Sequence, residues 1–173
     1  APALAQNGWA PTEANRGLVP SVLDAVRRRF RVDPDRICLA GVSLGAHAAW
    51  EAALLDPDRW AGLWTRGGGP RLPMLAYAGN IRDLPVRALV GARDHPLLVA
   101  NLRRIRDALK ADTFTLAEVE GAGHSGFPED EEPGWSWLQP LRRVLPRQFE
   151  CILHDPGRTA GAWIDALRLD PGV

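Results

Sequence analysis

The chain has 173 residues, enough for one domain with a hydrophobic core of its own. Its 21 lysines and arginines are balanced by 21 aspartates and glutamates, so we expect neither nucleic acid nor a membrane surface as a partner. The two cysteines, Cys38 and Cys151, lack the number and spacing of a disulfide framework or a metal site. No apolar run reaches membrane-spanning length, and no signal peptide is recognisable. The composition favours a small-molecule or local protein substrate and indicates no compartment.

Short apolar runs alternate with helical patterns along the first half of the chain. Residues 18–30 place apolar side chains on one helical face. The run RICLAGV at 36–42 is largely apolar, as a strand buried on both faces requires. Good helix formers follow at 43–55, and a second strand is predicted at 60–65. This alternation is typical of a parallel sheet covered by helices, so we predict an α/β fold.

The second half continues the alternation after a long interruption. Residues 67–85 are rich in glycine and proline and are predicted to form an irregular connection that could shape a pocket. The pattern then predicts a strand and turn at 86–94, a helix at 95–111, a strand at 113–121 and a last helix at 134–145. That last helix would carry Trp137, Leu141, Val144 and Leu145. After Pro146 we predict a strand, a turn and one element of undetermined type.

Gly41, Ser43 and Gly45 form a G-x-S-x-G pattern between the first predicted strand and the helix after it. A serine raised on such a sharp turn needs small neighbours, because side chains two residues away on either side would collide with it. The first N–H groups of the helix point towards the serine oxygen, where negative charge develops when a carbonyl group is attacked. The Leu44 N–H is therefore the predicted oxyanion donor. The alternative is a serine that only caps a helix.

Two further residues meet the requirements of a serine nucleophile, which needs a histidine to take its proton and a carboxylate to orient that histidine. Asp94 follows a predicted strand, and His124 lies in the loop after the next one. Open parallel sheets gather their active sites at such strand ends. Taken singly, Asp94 could cap the helix that begins near Pro96, and His124 could be an ordinary loop histidine. In combination with Ser43, they predict a catalytic triad.

The other histidines fit this chemistry less well. His47 lies one helical turn beyond Ser43, so its side chain is expected to pack or to point away from the turn. His95 adjoins Asp94 and cannot share the geometry of the acid while also reaching the serine, and His154 lies in the atypical tail. No cluster indicates a metal site and no glycine-rich nucleotide motif occurs, so no metal or cofactor is expected.

Three segments carry a resemblance to a known family: VDPDRICLAGVSLGAHAAWEAALLDPDRWAGLWTRGGG, NIRDLPVRALVGARDHPLL and VEGAGHSGF. They resemble the α/β-hydrolase superfamily, in particular bacterial esterases and peptidases of the dienelactone hydrolase, polyhydroxybutyrate depolymerase and prolyl oligopeptidase type. The resemblance covers residues 15–146 and implies Ser43 as nucleophile, His124 as general base and acid, and Asp94 as the orienting carboxylate. It also implies a second oxyanion donor from a loop near an earlier strand.

The sequence departs from this family before the nucleophile strand. Complete members have several strands and an H-G-G or similar oxyanion segment there, whereas a single predicted helix precedes the strand here. The glycines at 67–69 follow the serine, so they cannot be that segment in the usual chain order. We expect residues 1–146 to be the C-terminal portion of an α/β-hydrolase domain within a longer chain, with 147–173 a tail or the start of an accessory segment. Ala46, where many relatives have a third glycine, is still small.

The predicted function is that of a serine hydrolase that cleaves carboxylic esters through an acyl-enzyme intermediate on Ser43. A serine peptidase with the same triad and a non-catalytic hydrolase-like binding module are the alternatives. The expected partner is a small-molecule ester or a peptide. The chain by itself is expected to have weak activity or none, because one oxyanion donor contributes only about 3 kcal/mol to lowering the barrier.

Overall fold

A computed structural model describes residues 18–109, 112–144 and 151–152. Its helices and strands, in chain order, are α1 (Leu18–Arg29), β1 (Cys38–Val42), α2 (Leu44–Leu55), β2 (Gly62–Arg66), β3 (Val86–Gly91), α3 (Pro96–Leu109), β4 (Phe114–Val119) and α4 (Glu131–Leu138). More tightly wound 3₁₀ helices cover Pro34–Arg36, Pro57–Arg59, Leu72–Ile81 and Pro128–Asp130. No helix within 18–109 or 112–144 is long and apolar enough to cross a membrane.

The four strands form one parallel sheet in the order β1-β2-β3-β4. In register, Cys38 lies beside Gly62, and Val86 lies between Leu63 and Phe114. Because the strands are parallel, their carboxyl ends meet at one edge of the sheet, where the loops to the following helices begin. The predicted α/β architecture, a parallel sheet flanked by helices, is confirmed.

Side chains bury both faces of the central strands. In β1, by contrast, Ala40 and Val42 are exposed, so the expectation that the first strand is buried on both faces is wrong. Leu63 and Trp64, which are consecutive in β2 and therefore point to opposite faces, are 0% and 1% exposed. On one face α2 and α3 cover the sheet with Trp50, Leu54, Leu102 and Ile105. On the other face Trp64 packs in a second cluster with Leu89, Phe127 and Leu138. Burial on both faces explains why the central strands read as apolar runs rather than as alternating patterns.

The last helix differs from its prediction at both ends. It begins at Glu131 rather than at residue 134, because Pro133 lies in the first helical turn, where a missing N–H is tolerated. It ends at Leu138, because Pro140 cannot donate to the carbonyl group four residues earlier and its ring would collide there. Leu141 and Val144 therefore lie beyond the helix.

Two further predicted segments are the 67–85 connection and the residues after Pro146. The 67–85 connection is less irregular than expected, since Leu72–Ile81 forms a 3₁₀ helix that buries Ala78, Asn80 and Ile81. Leu145 and the elements predicted after Pro146 lie outside the described residues, except for 151–152. There the Asn80 side chain donates to the Ile152 carbonyl at 3.0 Å and accepts from the Ile152 N–H at 2.7 Å.

Candidate active site

Ser43 occupies the turn between β1 and α2 in a backbone conformation that residues other than glycine rarely adopt. Its φ of 52° and ψ of −116° lie outside the main regions for L-residues, a strain on the order of 1–3 kcal/mol. The Ser43 N–H donates to the Arg66 carbonyl at 2.9 Å, and the Ser43 carbonyl accepts from the Ala46 N–H at 3.0 Å. The neighbouring strand and the following helix thus hold the serine at the carboxyl edge of the sheet.

Of the two glycines that flank this serine, only Gly41 is required by close packing. A Cβ at Gly41 would overlap the carbonyl group of Gly45. A Cβ at Gly45 would meet nothing within 4 Å among the described residues outside its own helical turn. The expectation that sterics require both glycines is therefore wrong for Gly45, because that position faces open space.

The three candidate triad residues meet through hydrogen bonds at the carboxyl edge of the sheet. The Ser43 Oγ lies 3.0 Å from the His124 Nε2. The other ring nitrogen of the histidine, Nδ1, lies 3.0 Å from the Asp94 Oδ2. With Nδ1 protonated, the ring donates to the carboxylate and accepts from the serine hydroxyl. The imidazole ring is thus positioned to take the serine proton on Nε2 while the buried carboxylate orients it through Nδ1.

Asp94 is buried and uses both of its carboxylate oxygens. Oδ2 faces His124, and Oδ1 accepts a hydrogen bond from the His95 N–H at 2.6 Å. The start of α3 is capped by His95, whose carbonyl accepts from the Leu98 N–H at 2.9 Å and whose Nδ1 accepts from the Leu97 N–H at 3.3 Å. The alternative that Asp94 serves only as a helix cap is thus weakened, because the neighbouring residue performs that role.

Leu44, the predicted oxyanion donor, is the first residue of α2. Its N–H is one of those that helix geometry leaves without an intrahelical acceptor, and the helix dipole adds partial positive charge there. Leu44 is 53% exposed. The backbone donor therefore lies beside Ser43 at a surface that a substrate can approach.

Sequence reasoning did not include His47 or the glycines after β2 in the site. The His47 Nδ1 donates to the Gly69 carbonyl at 2.5 Å, and burial lowers the pKa of His47 below its usual value. Gly68 packs against the Ser43 carbonyl, and Gly67 packs against the loop that holds His124. Three consecutive glycines directly after a strand were the available signal, because such runs permit close backbone approach.

A cavity of about 840 Å³ lies between α4 and the start of β1, away from the triad candidates. Its lining residues are Arg36, Cys38, Pro128, Glu131, Glu132, Trp135, Ser136, Leu138 and Gln139. Because the cavity has no triad candidate in its wall, we do not assign it to the reaction. Within the described residues, no group of three or more histidine, cysteine or acidic side chains is arranged to bind a metal ion.

No protein-family model matches this sequence, and no curated protein sequence matches it significantly. Solved structures do match. A thermostable esterase is similar at a TM-score of 0.56 and 20% identity, over 79% of this chain and 39% of its own. Esterase PE8 is similar at 0.56 and 19% identity, over 73% of this chain and 60% of its own. An S-formylglutathione hydrolase from Agrobacterium tumefaciens is similar at 0.58 and 16% identity, over 79% and 60% of the two chains.

These proteins are esterases and hydrolases built on one fold. The chain has the α/β-hydrolase fold. At these identities the likeness concerns architecture, and the chain spans between 39% and 60% of the length of the three proteins. The family resemblance carried by the three sequence segments is thus confirmed at the level of the α/β-hydrolase fold. Ser43, Asp94 and His124 lie after β1, β3 and β4 of this sheet.

Proposed function

We propose that this protein is a serine hydrolase that cleaves carboxylic esters, with Ser43 as nucleophile. The observation that carries the proposal is the pair of 3.0 Å contacts that join the Ser43 hydroxyl to the His124 imidazole and that imidazole to the Asp94 carboxylate. The strained backbone at Ser43 supports it, because proteins retain such strain mainly at functional positions. The α/β-hydrolase fold supports it as well, since esterases are among the similar structures.

The proposed reaction has two steps that use the same proton path. As the Ser43 Oγ attacks the ester carbonyl carbon, the His124 Nε2 takes the hydroxyl proton and then passes it to the departing alkoxide, which leaves as an alcohol. Water then attacks the acyl-enzyme while His124 takes one of its protons. The Ser43–acyl bond breaks, the proton returns to the serine oxygen and the carboxylic acid departs. No cofactor takes part.

Asp94 and Leu44 have supporting roles in this proposal. The Asp94 carboxylate holds the tautomer in which His124 Nε2 can accept a proton, and it stabilises the imidazolium that forms. The Leu44 N–H stabilises the oxyanion of the tetrahedral intermediate. The family resemblance implies a second oxyanion donor as well, and the loss of one such donor costs about 3 kcal/mol of barrier lowering.

The experiment replaces the nucleophile in the full-length protein and measures p-nitrophenyl acetate hydrolysis. Ser43→Ala is expected to abolish turnover, because the other triad residues cannot form an acyl-enzyme. Ser136→Ala provides the matched control, since Ser136 is exposed on α4. A fluorophosphonate is expected to label the wild-type protein at Ser43. Unchanged hydrolysis in Ser43→Ala would contradict the proposal.

The same protein distinguishes the alternative functions. A serine peptidase would use the same residues, so rates on an ester and on a matched peptide amide are compared. Faster turnover of the ester by several orders of magnitude is expected for an esterase, because an alkoxide leaves more readily than an amine. Hydrolysis of the amide at a comparable rate would indicate a peptidase. Failure of the fluorophosphonate to label any serine would indicate a non-catalytic binding module.

A further inference from the structure

A short backbone segment, Gly67–Pro70, lies against both the turn that holds Ser43 and the loop that holds His124; we call it the glycine strap. A Cβ at Gly68 would lie 2.5 Å from the Ser43 carbonyl oxygen. At Gly67, whose φ is +58°, a Cβ would overlap the Ser125 carbonyl and approach the His124 Cε1 at 3.7 Å. The strap therefore contacts the backbone of the serine turn on one side and the histidine loop on the other.

Helix α2 anchors the strap from one side. The His47 Nδ1 donates to the Gly69 carbonyl at 2.5 Å. One helical turn later, Glu51 forms an ion pair with Arg71, directly after the strap, at 3.7 Å. Residues four apart lie on the same helical face, so α2 presents two anchors in a row to the strap and its end.

Helix α3 and the sheet anchor the strap from the other sides. The Asn101 side chain donates to the Pro70 carbonyl at 3.2 Å. A Cβ at Gly69 would lie 2.8 Å from the Leu102 side chain, so a larger residue there would require side chains of α3 to move. The Gly67 N–H donates to the Leu89 carbonyl of β3 at 2.9 Å. Each end of the strap is thus tied to a different element.

The strap depends on these anchors more than an ordinary loop does. Glycine has the greatest backbone freedom of any residue, and three consecutive glycines supply no side chains that could hold the segment in place. Of the anchors, His47 binds the middle of the strap, directly after the glycine that packs on Ser43. Loss of that hydrogen bond would let Gly68 and the Ser43 turn shift relative to His124.

We propose that His47 is a positioning residue, which acts through the glycine strap to fix the separation of the Ser43 hydroxyl and the His124 imidazole. This inference rests on the proposed function, because it assigns His47 a role in the reaction of Ser43. His47 does not replace His124 as the base, since its Nδ1 is bound to the Gly69 carbonyl. A misplacement of about 1 Å between reacting groups can lower a rate by about 100-fold, so a remote anchor has a measurable effect.

The test compares His47→Ala with His47→Asn in the full-length protein, using p-nitrophenyl acetate. Alanine removes the donor, and kcat is expected to fall by about tenfold or more while KM stays within about twofold, because geometry and not substrate binding is affected. The rate of Ser43 labelling by a fluorophosphonate is expected to fall in parallel. Asparagine carries an amide nitrogen near the position of Nδ1, so it is expected to restore most of kcat. If the alanine variant does not fold, His47→Met fills the space without a donor and takes its place.

Asn80→Ala is the matched control for general destabilisation. Its amide also donates to backbone carbonyls inside the protein, at Leu54 and Ile152, but these lie outside the strap. It is expected to lower the unfolding temperature and to leave kcat unchanged. An unchanged kcat in His47→Ala, an equal loss in Asn80→Ala, or no rescue by asparagine would overturn the inference. Failure of the proposed function is separate, because it would appear as unlabelled Ser43 in the wild-type protein.

Discussion

Among single residues, Asp94 and His124 differ sharply in their exposure to solvent. The Asp94 side chain is 4% exposed and the His124 side chain is 56% exposed, although the two are hydrogen-bonded. A buried carboxylate is costly unless donors satisfy it, and here the His95 N–H and the His124 Nδ1–H both do so. The acid is therefore held rigidly, while the ring it orients remains within reach of a substrate and of water.

The hydrogen bond between His124 Nδ1 and the Asp94 carboxylate predicts the effect of Asp94→Asn. The amide can donate to His124 Nδ1 and so favours the tautomer in which Nε2 carries the proton and cannot accept one from Ser43. We expect kcat for p-nitrophenyl acetate to fall by about 1,000-fold or more, with little change in KM. Glu120 is an exposed acid between β4 and His124. Glu120→Gln is therefore the control and is expected to keep full activity. A loss of less than threefold in Asp94→Asn would rule out the orienting role.

At the scale of elements, the β1–α2 unit carries both the strain and the close packing of the site. The turn places Ser43 at positive φ, and the Gly41 backbone lies so near the Gly45 carbonyl that a methyl group does not fit between them. Gly45 itself lies in the first turn of α2 and faces open space. The two glycines of one motif therefore have different physical roles.

The matched pair Gly41→Ala and Gly45→Ala tests this difference. Gly41→Ala is expected to destabilise the protein by about 2 kcal/mol or more, because the backbone of the turn must move. Gly45→Ala is expected to be neutral or to stabilise by up to about 1 kcal/mol, because alanine favours the helix. Chemical denaturation followed by circular dichroism measures both. Equal destabilisation by the two substitutions would contradict the assignment.

At the scale of the whole molecule, β1 forms one edge of the described sheet. Along a β-strand, the N–H and C=O groups of one residue point to one side, and those of the next residue point to the other side. The Ile37 carbonyl and the Ser43 N–H both bond to the β2 side, so Leu39 and Gly41 face β2 while Ala40 and Val42 face away from it. Within the described residues, β1 pairs with β2 alone.

Hydrogen exchange of the 173-residue chain, resolved by residue with NMR, tests whether this edge is open. The Leu39 and Gly41 amides are expected to exchange at least about 100-fold more slowly than those of Ala40 and Val42, because only the first pair is hydrogen-bonded within the sheet. The amides of β3, paired on both sides, provide the internal reference for protection. Equal protection of all four amides would mean that another strand covers the edge.

The sequence predicted an element correctly where the residues that determine it lie within that element. The central strands were predictable because burial on both faces requires apolar runs, such as the one that contains Leu63 and Trp64. The end of α4 was not, because the apolar side chain of Leu141 continues the pattern of that helix while Pro140 stops the backbone. Leu141 still packs beside Leu138, so the apolar pattern predicted which side chains pack against the core but not where the helix ends.

The sequence by itself determined the order of the elements, the strand-to-helix turn at Ser43, and the placement of Asp94 and His124 after successive strands. Those features follow from local spacing, because periodicity and glycine positions act within a few residues. Only the tertiary structure decided that the three side chains meet through 3.0 Å contacts and that His47 holds the glycine strap. Those contacts join residues from 22 to 81 positions apart in the sequence. They therefore arise only when the parallel strands bring their carboxyl ends to one edge.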